Sequence, residues 1–162
     1  MKKEDYTFSY EVYDSIDELT EADASLLSEA RKVTRHAYAP YSHFRVGAMA
    51  RLDNGESVAG SNQENASFPV GLCAERVLLA SAVSQFPVVP INTIAISYHN
   101  ENGESKQPIS PCGICRQSLL EYESRLKRPI RVILGGLEGK VYIIPRAAML
   151  LPLSFTATDL GG

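Results

Sequence analysis

Three cysteines and one glutamate are the residues of this chain whose types and spacing could do chemistry. Cys112 and Cys115 form a C-x-x-C pair behind Pro111, and Cys73 stands well upstream with Glu75 two residues on. On a helix, residues three apart share one face within ~5–6 Å, so Cys112 and Cys115 can hold one metal ion. Zinc suits thiolates, and a catalytic zinc keeps three protein ligands and leaves its fourth position for water. Three cysteines meet that count. The pair alone is ambiguous, because C-x-x-C equally marks a redox dithiol and a helix start favours thiolates in either case. Cys73 and Glu75 narrow the choice. On a regular helix they would point about 200° apart, so they converge on one site only at a helix end. If Cys73 and Cys112 each open a helix, both positive dipole ends and their free N–H groups face the same metal and stabilise the thiolates. An odd number of cysteines also excludes a full disulfide framework and points to a reducing compartment, the cytoplasm.

Periodic segments on either side supply the elements that must hold these residues. Asp17 to Tyr38 carries Leu19, Leu26, Leu27, Ala30, Val33 and Ala37 at helical spacing, with Thr20 and Asp23 as start signals and Pro40 as the stop. Phe44 to Leu52 alternates as a strand, turns at Asp53-Asn54-Gly55-Glu56 and returns through Ser57 to Ser61 as a hairpin. Cys73 to Val83 is apolar almost all round, the pattern of a buried helix, and Pro87 and Pro90 end it. Ile91 to Tyr98 reads as a buried strand, followed by a polar loop and a second cysteine-led helix from Cys112 to about Ser124. Ile130 to Leu134 and Lys140 to Ile144 are short strands, and a short helix can follow Pro145. The order α-β-β-α-β-α-β-β predicts a mixed sheet covered by helices. The expected organisation is one domain over residues 1–162, with an N-terminal extension over 1–16 and a core over about 17–155.

Composition limits the partners. A chain of 162 residues with 44% apolar and 22% charged residues is ordinary for one folded unit. Its net charge is -3, and apart from Arg125, Lys127, Arg128 and Arg131 the cations are scattered, which argues against a nucleic-acid partner. Glu4, Asp5 and Glu11 interrupt any apolar stretch after the basic Met-Lys-Lys start, so no export signal is expected. Apolar runs such as Ala147 to Leu151 are far shorter than the ~20 residues that cross a bilayer, so no membrane partner is expected either.

Cys73-Ala74-Glu75-Arg76, followed by Ser110-Pro111-Cys112-Gly113-Ile114-Cys115-Arg116-Gln117, closely resembles the two zinc motifs of cytidine deaminases in their three-cysteine form. Ala39 to Ala48 resembles the family's first block, Gly60 to Ser67 its nucleoside-binding block, and Leu150 to Phe155 its tail motif. The ordered matches cover most of residues 20 to 155. The resemblance implies an α/β fold, a three-layer α/β/α sandwich around a mixed five-stranded sheet, assembled as a homotetramer. It implies one Zn2+ per subunit on Cys73, Cys112 and Cys115, with Glu75 as the catalytic proton shuttle. Asn62 and Glu64 would hydrogen-bond the ribose hydroxyls, Phe44 would lie against the pyrimidine, Ala74 would touch the substrate, and Phe155 would reach a neighbouring subunit's site. The implied reaction is hydrolytic deamination of cytidine and deoxycytidine to uridine and deoxyuridine plus ammonia, by zinc-activated water, in pyrimidine salvage.

Two departures stand out. Gln63 occupies a position where the family pattern leads one to expect an apolar residue, and Phe68-Pro69-Val70-Gly71 varies the stretch leading into Cys73. Three thiolates around Zn(II) sum to minus one, which weakens a Lewis acid, and Arg76 beside Cys73 is placed to withdraw charge from the sulfurs. Plainer readings exist for each residue: a buried apolar role for Cys73, a helix-dipole carboxylate for Glu75, a polar strand end for Asn62 and Glu64, core packing for Phe44 and Phe155. His36, His43 and His99 fall outside both zinc motifs and are read as structural. Rival functions are a non-catalytic zinc module, a redox dithiol protein, an aminonucleoside antibiotic deaminase and a nucleotide deaminase. The last needs cations for a phosphate, which the Glu64 carboxylate would repel.

Overall fold

Alternation along the strands sends successive side chains to opposite faces, and the chain folds to bury both. The computed structural model describes residues 1–161; Gly162, which the sequence reading included in the domain, lies outside the described residues. The strands are β1 (Glu11–Tyr13), β2 (Phe44–Leu52), β3 (Ser57–Ser61), β4 (Ile91–Asn100), β5 (Arg131–Gly135) and β6 (Val141–Ile144). They form one mixed sheet in the order β1-β6-β5-β4-β2-β3, in which β4 and β5 run parallel and the other neighbours antiparallel.

Six strands replace the five expected. The additional one, β1, comes from the segment read as an N-terminal extension, where Glu11, Val12 and Tyr13 pair with Ile143, Tyr142 and Val141. Three residues beginning with an acid are too short an alternation to stand out in a sequence. The pairing covers an edge of β6 that would otherwise be open.

The long first helix is also shorter than its pattern. α1 spans Glu21–Val33, with 3-10 turns at Ile16–Glu18 and Thr34–His36 on either side. Thr20 caps the start, its hydroxyl accepting from the Asp23 amide at 3.3 Å. At the other end the Thr34 hydroxyl donates to the Arg31 carbonyl at 2.7 Å as the last turn tightens. The short helix expected after Pro145 is a 3-10 turn at Ala147–Leu150.

Helices cover both faces, giving the three layers predicted. α1 packs Leu26, Leu27 and Ala30 on Ala95, Ile133 and Ile143. α2 (Ala74–Gln85) and α3 (Gly113–Leu126) pack Leu78, Leu79 and Leu119 on the opposite face, against Ile94, Ile96 and Val132. Thus Ile94 and Ile96 serve one core and Ala95 between them serves the other, as period two requires. Two glycines let the helices approach closely. A Cβ at Gly47 would lie 2.4 Å from the Ala30 carbonyl of α1, and one at Gly60 would lie 2.4 Å from the Ala74 carbonyl of α2. Gly60 therefore seats the first turn of α2, which follows Cys73 and contains Glu75. No helix among the described residues is long and apolar enough to cross a membrane.

Candidate active site

Two helix starts meet at one point. Cys73 is the N-cap of α2 and Cys112 the N-cap of α3, both with extended backbone, and Cys115 sits one turn into α3. The sulfurs of Cys73 and Cys112 are 3.8 Å apart, those of Cys112 and Cys115 are 3.5 Å apart, and all three lie within 4.8 Å of one another. A tetrahedral zinc with ~2.3 Å bonds to sulfur needs its thiolates ~3.8 Å apart, so the residues fit the metal. Among the described residues the cluster contains these three cysteines and no histidine or carboxylate. Cys73, Cys112 and Cys115 thus form a cluster that fits a zinc ion.

Electrostatics divide the ligands. The hydrogen bond from Cys115 is the chief influence pulling the Cys73 thiol down to about 6, with Cys112 and the Arg76 charge assisting and burial and Glu75 opposing. Cys115, fully buried, is pushed the other way by the same bond to Cys73 and by burial. Glu75 is 5% exposed, and burial lifts its carboxyl above the ordinary carboxylate range. A carboxyl so raised exchanges protons closer to neutrality.

A cavity of about 510 Å³ opens beside the sulfurs, of a size that suits a small organic ligand. Asn62, Glu64, Cys73, Glu75, Arg76 and Cys112 all line it, with Ala74, so the block over Gly60 to Ser67 and both cysteine motifs share one space. Gln63 and Phe68-Pro69, two of the departures from the family pattern, also form part of its wall. Phe44 and Phe155 are not brought to the lining. Phe44 stacks on Tyr98 with ring centroids 4.9 Å apart and planes 15° apart. Phe155 is 59% exposed, its carbonyl accepting from Gln117 Nε2 at 2.9 Å.

Both polar residues of the far wall are already tethered. Asn62 Oδ1 accepts from the Val46 amide at 2.7 Å and Nδ2 donates to the Phe44 carbonyl at 2.9 Å. That leaves one N–H and one lone pair of its carboxamide for a ligand. Glu64 Oε2 accepts from the amides of Tyr41 at 2.9 Å and Ser42 at 3.3 Å. Burial works against its charge, but the Ser42 hydroxyl and these two amides outweigh it and hold the carboxyl below its usual range. Ile109 and Ile114 complete the apolar lining. They were not singled out by the sequence pattern; the available signal was an isoleucine between two ligands, 63% exposed and off the core face of α3.

A mixed sheet between helical layers, with three thiolates and a buried carboxyl at two helix starts, defines a class of zinc-dependent hydrolases. Residues 20–130 match the family model for the cytidine and deoxycytidylate deaminase zinc-binding region, and the chain belongs to that family. It is 38% identical over 137 residues to a cytidine deaminase of Halalkalibacterium halodurans, covering 83% of this chain and 95% of that protein. A cytidine deaminase of Sporosarcina psychrophila is 35% identical over 135 residues, covering 83% of this chain and 92% of the relative. Among solved structures, cytidine deaminase from Burkholderia pseudomallei superposes with a TM-score of 0.71 at 35% identity, covering 85% of this chain and 100% of that one.

Proposed function

We propose that the chain hydrolyses the exocyclic amine of cytidine and deoxycytidine, releasing ammonia and leaving uridine or deoxyuridine. The observation that carries this reading is the single cavity that joins a three-sulfur metal site, the buried Glu75 and the anionic acceptor Glu64. Cys73, Cys112 and Cys115 would hold a zinc ion, which would supply a Lewis acid able to lower the pKa of water from ~15.7 towards ~7. Glu75 takes a proton from the water entering the cavity and delivers it to the ring N3. A second proton passes through the same carboxyl to the departing amine, so one water is consumed and one ammonia leaves. The free N–H and lone pair of Asn62 and the free oxygen of Glu64 hold the sugar hydroxyls. Phe44 lies outside the cavity lining and acts on this wall through its backbone carbonyl, which accepts from Asn62 Nδ2.

The working unit in this reading is a cytoplasmic homotetramer serving pyrimidine salvage, with Phe155 completing a neighbour's site. Exposed Phe68 and Ile114 at the cavity, with Leu153 and Phe155 on the tail, offer the apolar surface such an assembly would cover. A net charge of -3 argues against a nucleic-acid partner. Ultraviolet absorbance of purified protein with cytidine, deoxycytidine, cytidine monophosphate and adenosine tests the substrate class. Loss of the cytidine band with the first two only is expected; turnover of the monophosphate alone, or of none, contradicts it.

A further inference from the structure

The Glu64 wall depends on a loop whose conformation a remote carboxylate holds. Residues 39–43 turn back on themselves, the His43 amide donating to the Ala39 carbonyl at 3.1 Å. This turn presents the Tyr41 and Ser42 amides to Glu64. It places His43 at φ 57°, a left-handed backbone that non-glycine residues seldom adopt and that persists only where surrounding contacts enforce it.

Glu101, in the turn that follows β4, supplies those contacts. Its amide donates to the His43 carbonyl at 3.0 Å, and its Oε2 accepts from His43 Nδ1 at 3.2 Å. Its other oxygen accepts from Arg45 Nε, and Arg45 Nη1 in turn donates to the Ala37 carbonyl at 2.8 Å. Ala37 precedes Tyr38, whose carbonyl accepts the Glu64 amide at 2.8 Å. Glu101 therefore holds one end of the segment that wraps Glu64 directly and the other through Arg45, while Glu101 itself is absent from the cavity lining.

We infer that Glu101 is a positioning residue for sugar recognition: it fixes the 39–43 turn so that Glu64 presents its free oxygen to a substrate hydroxyl. This rests on the reading of Glu64 as the sugar acceptor. The test is steady-state kinetics of Glu101→Gln and Glu101→Ala with cytidine and with 2',3'-dideoxycytidine, which lacks the sugar hydroxyls. KM for cytidine rises about five- to tenfold in Glu101→Ala and less in Glu101→Gln, the scale of one weakened charge-assisted hydrogen bond. The turnover number and zinc content stay at the wild-type level, and KM for the dideoxynucleoside changes less than about twofold. Equal rises for both nucleosides, or an unchanged KM for cytidine, overturn the inference. Wild-type protein that binds the two nucleosides equally well would instead overturn the underlying role of Glu64.

Discussion

The two ends of the cavity are built by different means. At the metal end, position comes from helix geometry: two N-caps, a ligand one turn into α3, and a glycine that lets α2 lie flat on the sheet. At the end proposed to hold the sugar, position comes from hydrogen bonds among segments distant in sequence, as Glu64 with residues 41 and 42, Asn62 with β2, and Glu101 with His43 and Arg45. Helix starts give the fixed geometry that bond-making needs. A tethered loop gives a recognition surface that can be retuned without moving the metal.

The comparison predicts that changes at the metal end lower kcat, changes at the sugar end raise KM, and changes in the α1 layer alter stability alone. Cys112→Ser should have the largest effect. It removes an exposed ligand without opening a core cavity, and metal analysis should show zinc lost while turnover falls at least about a thousandfold, or ~4 kcal/mol. Gly60→Ala follows, since its methyl would meet backbone of α2 at 2.4 and 2.5 Å. Denaturant titration should show a loss of about 1–3 kcal/mol, and the displaced Glu75 should lower kcat more than it raises KM. A change in KM alone would blur the two ends.

Arg76→Gln removes a cation that assists the Cys115 and Cys112 hydrogen bonds in lowering the Cys73 thiol. Zinc should stay bound and kcat fall about tenfold, equivalent to ~1.4 kcal/mol; wild-type turnover would refute the charge argument. The smallest effect belongs to the α1 layer. Arg131 donates to both oxygens of Asp23, at 2.6 and 2.8 Å, and this pairing holds the Asp23 carboxyl low even though burial pulls upward. A lowered folded-state pKa stabilises above the unfolded value of ~3.9 and loses that benefit as pH falls through the folded value. Asp23→Asn should therefore cost about 0.5–1 kcal/mol at neutral pH and progressively less below pH ~4, with kcat and KM unchanged throughout. Equal losses at neutral and acid pH would contradict the pairing.

The same contrast explains what could be read from the sequence. The metal end is local: a C-x-x-C pair behind a proline and a Cys-x-Glu at a helix start are complete within a few residues, and the structure places both cysteines as N-caps. The hairpin follows from the alternation of β2 and the turn after it, and the two cores from a β4 that is apolar and buried on both faces. β1 was missed because three residues carry no periodicity of their own and become a strand only through β6. The Glu101 clamp was invisible for a similar reason, since its partners stand 58 and 56 residues away and His43 lies in neither zinc motif.

The most direct test of the account is turnover of Glu75→Gln at measured zinc occupancy. The geometry of three sulfurs beside one buried carboxyl predicts one zinc per chain and a rate with cytidine reduced by about 10²- to 10⁴-fold, the usual contribution of a positioned proton carrier. A zinc-loaded Glu75→Gln protein that deaminates cytidine at the wild-type rate would contradict it, as would wild-type protein that binds no zinc.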